Sequence, residues 1–138
     1  MKTLVATAAM ITLSLSLAGC AASVSSGSLE AGALEGTWIG DNLGYEGGEY
    51  QEREIRFVID QSTGSTFSGE KSWREVDGEW SEPESFSGNV LDATDFHAVD
   101  DDGYIVGTLV SATTIQATYL EAGVDAGAFA LTLEKVAP

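Results

Sequence analysis

Glu54-Ile55-Arg56-Phe57-Val58-Ile59-Asp60 carries the clearest structural signal in the chain. Ile55, Phe57 and Ile59 alternate with charged residues, and Val58 is the one apolar residue on the charged side. Because successive side chains of a β-strand point to opposite faces, this alternation predicts a strand with one face in a core and the other in water.

Seven further segments of the chain carry similar strand signals. Turn residues separate several of them, notably around Gly64, at Asp77-Gly78 and at Asp100-Asp101-Asp102-Gly103. The glycine-rich, acidic residues 41–53 are predicted to form a loop. The eight predicted strands are residues 36–40, 54–60, 67–76, 85–91, 95–99, 104–110, 113–120 and 128–136.

The even spacing of these strands, without any convincing helical period, favours an antiparallel meander. Eight such strands lose their exposed edges when they close into a barrel. Glycines inside three predicted strands, Gly69, Gly88 and Gly107, are typical of the bulges or bends that a small barrel needs. The sequence therefore predicts an all-β fold, an antiparallel eight-stranded up-and-down meander closing into a small barrel.

The first twenty residues indicate export. Lys2 supplies a positive charge, and residues 3–17 are mostly apolar and uncharged. Leu17-Ala18-Gly19-Cys20 resembles the bacterial lipobox, which implies cleavage before Cys20, diacylglycerol on its thiol and a further N-acyl chain such as palmitate. The apolar run is shorter than the roughly 20 residues of a spanning helix, whereas two acyl chains suffice for stable anchoring.

This resemblance implies three regions: a lipoprotein signal peptide (1–19), a lipidated Cys20 with a Gly/Ser-rich flexible tether (20–33), and a single barrel domain (34–138). We expect a cell-envelope protein that is lipid-anchored to a bacterial membrane. In a Gram-negative host the anchor would be in the outer membrane, because Ala21 stands where inner-membrane proteins commonly carry Asp. Cys20 is the only cysteine, so disulfides and thiolate metal sites are not expected in the barrel.

The charge balance limits the partners. The chain has 22 acidic and six basic residues and a net charge of −16, which disfavours nucleic acid because phosphate binding depends on Lys and Arg. The acidity is typical of a soluble surface, and collection of cations is the alternative.

Gly36-Thr37-Trp38 at the start of the first strand resembles the Gly-x-Trp opening of lipocalins and avidins, small up-and-down barrels that hold a ligand at their open end. The resemblance implies a structural role for Trp38 across the closed end, with Lys135 where lipocalins usually place an arginine over the tryptophan. The biotin-contacting pattern of avidins is missing, so biotin is not implied.

The aromatic residues provide the candidate ligand contacts. A barrel of eight strands is packed solid by its side chains or is just wide enough for one small ligand. Trp80 lies in the polar segment Glu79-Trp80-Ser81-Glu82 and is predicted to be a lid over the barrel mouth or part of a partner-binding patch. Trp73 and Tyr104 are the other candidate ligand residues.

Catalytic and metal chemistry have weak signals. His97 is the only histidine, and no nucleophile, base and acid show a spacing that suggests a catalytic triad. The turn Asp100, Asp101 and Asp102 is the candidate calcium site, because Ca²⁺ takes oxygen ligands, although a solvated turn is the simpler interpretation. We expect no enzyme activity and no cofactor beyond the lipid on Cys20.

Two functions remain open on the sequence. The first is a membrane-anchored, non-catalytic binding module for a small apolar ligand or an envelope protein partner. The second is a structural or accessory surface lipoprotein whose barrel is solid and binds no ligand.

Overall fold

Eight strands follow one another along the chain in a computed structural model, which describes residues 29–137. Each strand pairs antiparallel with the next, and β8 pairs back with β1, so the predicted all-β barrel is confirmed. The strands are β1 (Gly36–Glu46), β2 (Glu49–Thr63), β3 (Thr66–Glu75), β4 (Glu84–Val90), β5 (Asp95–Val99), β6 (Gly103–Ser111), β7 (Thr114–Glu121) and β8 (Gly127–Lys135).

The first hairpin is longer than predicted. Residues 41–53, expected to form a loop, instead continue β1 and β2 up to a two-residue turn at Gly47 and Gly48. These glycines have φ values of 57° and 89°, and a two-residue hairpin turn of this kind requires positive φ at both positions. Pairing of β1 with both β2 and β8 outweighs the weak strand propensity of the glycine-rich, acidic segment.

A 3₁₀ helix, η1 (Ala31–Leu34), closes one end of the barrel. Leu34 is completely buried there beside Trp38, which is also completely buried. The Trp38 indole N–H donates a hydrogen bond of 2.7 Å to the Leu34 carbonyl, and Lys135 Nζ lies 4.9 Å from the Trp38 ring centroid. Within residues 29–137, no helix is long and apolar enough to cross a membrane.

The predicted tether boundary at residue 33 is wrong at its C-terminal end. Leu29 packs against the core, Ala31 is completely buried, and the Ala31 N–H donates to the Gly64 carbonyl. The small residues of this segment suggested flexibility, but its apolar residues Leu29 and Ala31 pack into the end of the barrel. The folded domain therefore includes the residues from Leu29 onward. The predicted signal peptide, Cys20 and most of the tether lie outside the described residues.

The half of the barrel next to η1 has a solid apolar core. Two strand-interior glycines make room for its aromatic rings: a Cβ atom on Gly107 would lie 2.2 Å from Phe96 Cζ, and one on Gly88 would lie 2.4 Å from Phe67 Cζ. Gly69 pairs with Ile59, at the edge of one of the two register shifts. The core of this half includes Leu34, Trp38, Phe57, Ile59, Phe67, Phe86, Phe96, Ile115, Leu131 and Leu133.

Candidate functional site

A cavity of about 200 Å³ opens at the end of the barrel opposite η1. It is built by inward-facing side chains of the strands and by one residue of the β5–β6 turn, and most of these side chains are polar or charged. The lining residues are Asn42, Glu46, Arg53, Ile55, Lys71, Trp73, Glu84, Asp102, Tyr119, Glu121 and Phe129.

Four of the lining residues, Ile55, Trp73, Tyr119 and Phe129, form apolar walls. Ile55 lies two positions before the core residue Phe57 on β2, and Phe129 lies two positions before the core residue Leu131 on β8. The Tyr119 and Phe129 rings stack with their centroids 6.3 Å apart. Burial raises the pKa of Tyr119, so its hydroxyl keeps its proton and acts as a neutral donor.

Arg53 is held by carboxylates on two sides. Its guanidinium contacts both carboxylate oxygens of Glu46, at 2.7 and 3.3 Å, and Nε donates to Glu75 at 3.1 Å. The guanidinium carbon also lies 4.5 Å from the Trp73 ring centroid. Such a two-oxygen ion pair fixes the orientation of Arg53, and its positive charge is already matched by acidic partners.

Lys71 is a buried cation inside the barrel, only 4% exposed. Its ammonium contacts Glu84 and lies 3.2 Å from Asp100 Oδ2. Burial by itself lowers the pKa of Lys71, but the hydrogen bond to Glu84 and neighbouring groups, including Asp100, outweigh burial and raise the pKa. Lys71 is therefore charged, and two carboxylates balance it.

Three polar groups of the cavity have no such partners. Among residues 29–137, Glu121 and Asp102 form no ion pair, and Asn42 Oδ1 is buried without a hydrogen-bond partner. Burial raises the pKa of the Glu121 carboxyl, and the charges of Glu46, Asp102 and Glu84 add to this effect, while Lys71 opposes it. The free groups of the cavity thus include two acids and a buried amide oxygen.

The structure separates the three predicted ligand residues. Trp73 lines the cavity, whereas Tyr104 lies on the outer wall, where its hydroxyl hydrogen-bonds His97 Nδ1. Trp80 also lies on the outer wall, with its ring centroid 4.6 Å from the guanidinium carbons of Arg56 and Arg74. The predicted lid position of Trp80 is therefore wrong, because its loop folds back along β3 and Ser81 N–H donates to the Trp73 carbonyl.

The predicted calcium residues have different surroundings. Asp100 Oδ1 accepts the N–H groups of Asp102 and Gly103, and Asp100 Oδ2 faces Lys71. Asp101 is exposed, and Asp102 faces the cavity. No group of three or more His, Cys, Asp or Glu side chains in residues 29–137 is placed to hold a metal ion.

Sequence reasoning missed most of the cavity, including Asn42, Glu46, Arg53, Lys71 and Glu121. The signal that could have identified two of them is strand parity. Arg53 has the parity of Ile55 and Phe57, and Lys71 has the parity of Phe67 and Trp73. A charged residue on the apolar face of a strand indicates either a strand end or a polar interior.

The barrel shares its fold with a solved structure described as EF1p2_mFAP2b bound to DFHBI. The two chains align with a TM-score of 0.51 and 17% sequence identity, over 78% of this chain and 97% of that chain. At this identity the likeness shows the fold alone, a small β-barrel. No protein-family model and no curated protein matches the sequence.

Proposed function

We propose that the protein is a non-catalytic binding module that holds one small ligand in the open half of its barrel. The observation that carries the proposal is the division of the interior. Apolar side chains fill the half next to η1, whereas the opposite half encloses a cavity with polar groups converging on it. A small barrel with room for one ligand has this arrangement.

The charged side chains inside the barrel, buried Lys71 and partly buried Arg53, argue against the alternative, a purely structural barrel. Removing charged groups from water costs several kcal/mol per ion, and apolar side chains of similar volume are often as stable or more stable. A barrel selected only for stability would therefore gain little from Arg53 and Lys71 inside it. Their presence fits a cavity whose polarity matters for binding.

The walls and the charges together favour an amphipathic ligand. Ile55, Trp73 and Phe129 can pack against an apolar group, and the acidic groups at the mouth can bind a polar one. The solved barrel of the same fold is bound to DFHBI, which supports a small molecule as the occupant of such an interior.

Methyl NMR tests this proposal with two residues of the same type. Ile55 lines the cavity, whereas Ile115 is completely buried in the closed half. A mixture of small aromatic amines, alcohols and acids should shift the Ile55 methyl signals and leave those of Ile115 in place. Shifts confined to outer-wall residues such as Val106, or no shifts with any compound, would contradict ligand binding in the barrel.

We also propose that the barrel is anchored to a bacterial membrane through lipid on Cys20, in the cell envelope. The support is the match of Leu17-Ala18-Gly19-Cys20 to the lipobox after an uncharged apolar run. The substitution Cys20→Ser removes the acylated thiol, so the variant should leave the membrane fraction and lose labelled fatty acid. A variant that keeps both would refute the anchor, and the ligand-binding proposal would be unaffected.

A further inference from the structure

The cavity has a surplus of negative charge. Four of its lining residues are carboxylates and two are cations, and both cations already face carboxylates, Arg53 at Glu46 and Lys71 at Glu84. Asp100 adds a further acid beside Lys71. The elevated pKa of Glu121, due to burial and then to its acidic neighbours, reports the same crowding of negative charge.

Asn42 gives an independent indication of a ligand. The residue is 4% exposed, it lines the cavity, and its Oδ1 atom has no hydrogen-bond partner among the described residues. A buried acceptor left unsatisfied costs about 1 to 3 kcal/mol. A ligand N–H that enters the cavity would satisfy it.

The walls and the size limit the apolar part of the ligand. Tyr119, Phe129 and Trp73 place aromatic rings in the lining, which suits an apolar ring on the ligand, while Lys71 and Arg53 already lie over the Tyr119 and Trp73 rings. The cavity, about 200 Å³, is somewhat larger than a cavity of ~150 Å³ that accepts benzene. One ring with a short polar arm therefore fits.

We infer that the cavity binds a small organic cation, a protonated amine on a ring-sized apolar group. The ammonium donates to the carboxylates of Glu121 and Asp102 and to Asn42 Oδ1, while the ring packs against Tyr119 and Phe129. The net charge of −16 raises the local concentration of cations and speeds their association. This inference rests on the proposed ligand-binding function and assigns its ligand class.

Three probes of nearly the same shape test the charge preference. Benzylammonium, benzyl alcohol and benzoate are titrated into the full chain at neutral pH and low salt, with calorimetry and the Ile55 methyl signals as readouts. Benzylammonium should bind best, benzyl alcohol less well and benzoate worst. Added salt should weaken the binding of benzylammonium, because it screens the acidic groups.

Two variants test the assigned residues. Glu121→Gln should weaken benzylammonium binding about tenfold or more, since a hydrogen bond to a charged group contributes about 1.5 to 3 kcal/mol. Glu70→Gln makes the same chemical change at an exposed residue of β3 and should leave the affinity unchanged. Asn42→Leu should weaken binding of the amine without lowering the melting temperature, because it removes an unsatisfied buried group.

The outcomes separate this inference from the proposed function. If benzyl alcohol or benzoate binds as tightly as benzylammonium and shifts the Ile55 signals, the cavity binds ligands without preferring cations. That result would contradict the inference and leave the proposed ligand-binding function intact. If Glu121→Gln behaves like Glu70→Gln, the inference fails in the same way. If none of the three probes binds at millimolar concentration, both the inference and the ligand-binding function are contradicted.

Discussion

Two tryptophans of this chain differ sharply in environment. Trp38 is completely buried and hydrogen-bonded to Leu34, whereas Trp80 contacts the guanidinium groups of Arg56 and Arg74 on the outer wall. Truncating a buried tryptophan costs about 3 to 5 kcal/mol, and a cation–π contact at an exposed site contributes about 0.5 to 1 kcal/mol.

We therefore expect Trp38→Ala to lower the free energy of unfolding by about 3 to 5 kcal/mol. Trp80→Ala should lower it by about 1 to 2 kcal/mol, the loss of two cation–π contacts. Urea denaturation of both variants measures the difference directly. Equal losses would contradict the assignment of Trp38 as the structural tryptophan of the closed end.

Glu121 gives the stability of the barrel a dependence on pH. Because burial and then the neighbouring acids raise the pKa of its carboxyl above 4.5, the value for an unperturbed Glu, the folded protein holds this proton to higher pH than the unfolded chain does. Ionisation therefore costs stability as the pH rises above about 4.5. The cost is absent in acid and grows as the pH rises through the raised pKa of the folded carboxyl.

Glu121→Gln should accordingly raise the melting temperature at neutral pH, and the gain should shrink to nothing below about pH 4, where Glu121 is protonated in both states. Glu70→Gln on the exposed face of β3 is the matched control and should show no comparable gain. Thermal melts across this pH range measure the effect. A gain for Glu121→Gln that is independent of pH would show that its carboxylate is not the source of the penalty.

Alternation predicted the bounds of six strands closely. β5 matches its predicted bounds, and β3, β4, β6, β7 and β8 differ by one residue at each end or less. β1 and β2 were predicted too short, because Asn42, Glu46 and Arg53 face inward where an apolar residue would be expected. The alternation of apolar and polar residues reports burial in an apolar core. It therefore stops where the barrel interior becomes a polar cavity, even though β1 and β2 continue past that point.

The cavity and the helix η1 could not be predicted from the sequence because both depend on contacts between distant segments. Lys71 pairs with Glu84 on the neighbouring strand and with Asp100 after β5, and such partners are known only once the strand register is known. η1 has four residues, too few for a periodic pattern, and its residues became part of the domain through contacts with β2 and β3. Charge pairing across strands and the docking of short elements depend on tertiary structure.

η1 provides a test of how the closed end is held. Leu34 is completely buried, so Leu34→Ala should destabilise the protein by about 2 to 5 kcal/mol. Leu120 is 44% exposed on the outside of β7, and Leu120→Ala should change stability by no more than about 0.5 kcal/mol. Denaturation midpoints of the two variants give the comparison, and similar midpoints would mean that η1 does not seal the barrel.

Closure of the barrel depends on the β1–β8 seam, which joins the first strand to the last. The seam brings two backbones very close on the inside: a Cβ atom on Gly44 would lie 2.0 Å from the Ala128 carbonyl oxygen, and one on Gly40 would lie 1.9 Å from that of Thr132. Because these close contacts are to backbone atoms, which cannot rotate away as a side chain can, a side chain at Gly40 or Gly44 forces β1 and β8 apart.

Gly44→Ala should therefore destabilise the barrel by about 1 to 3 kcal/mol, the usual cost of overpacking, and should speed hydrogen exchange of the β1 and β8 amides more than that of β4 and β5. Gly32→Ala is the matched control, because the nearest atom to its Cβ, Ser62 Oγ, lies at an ordinary contact distance of 3.5 Å. That substitution should be neutral or stabilise by about 0.4 to 1 kcal/mol, since alanine restricts the unfolded chain. If hydrogen exchange in Gly44→Ala rises equally in all eight strands, the strain does not lie at the β1–β8 seam. Faster exchange confined to β1 and β8 would show that the pairing of these two strands is what closes the barrel.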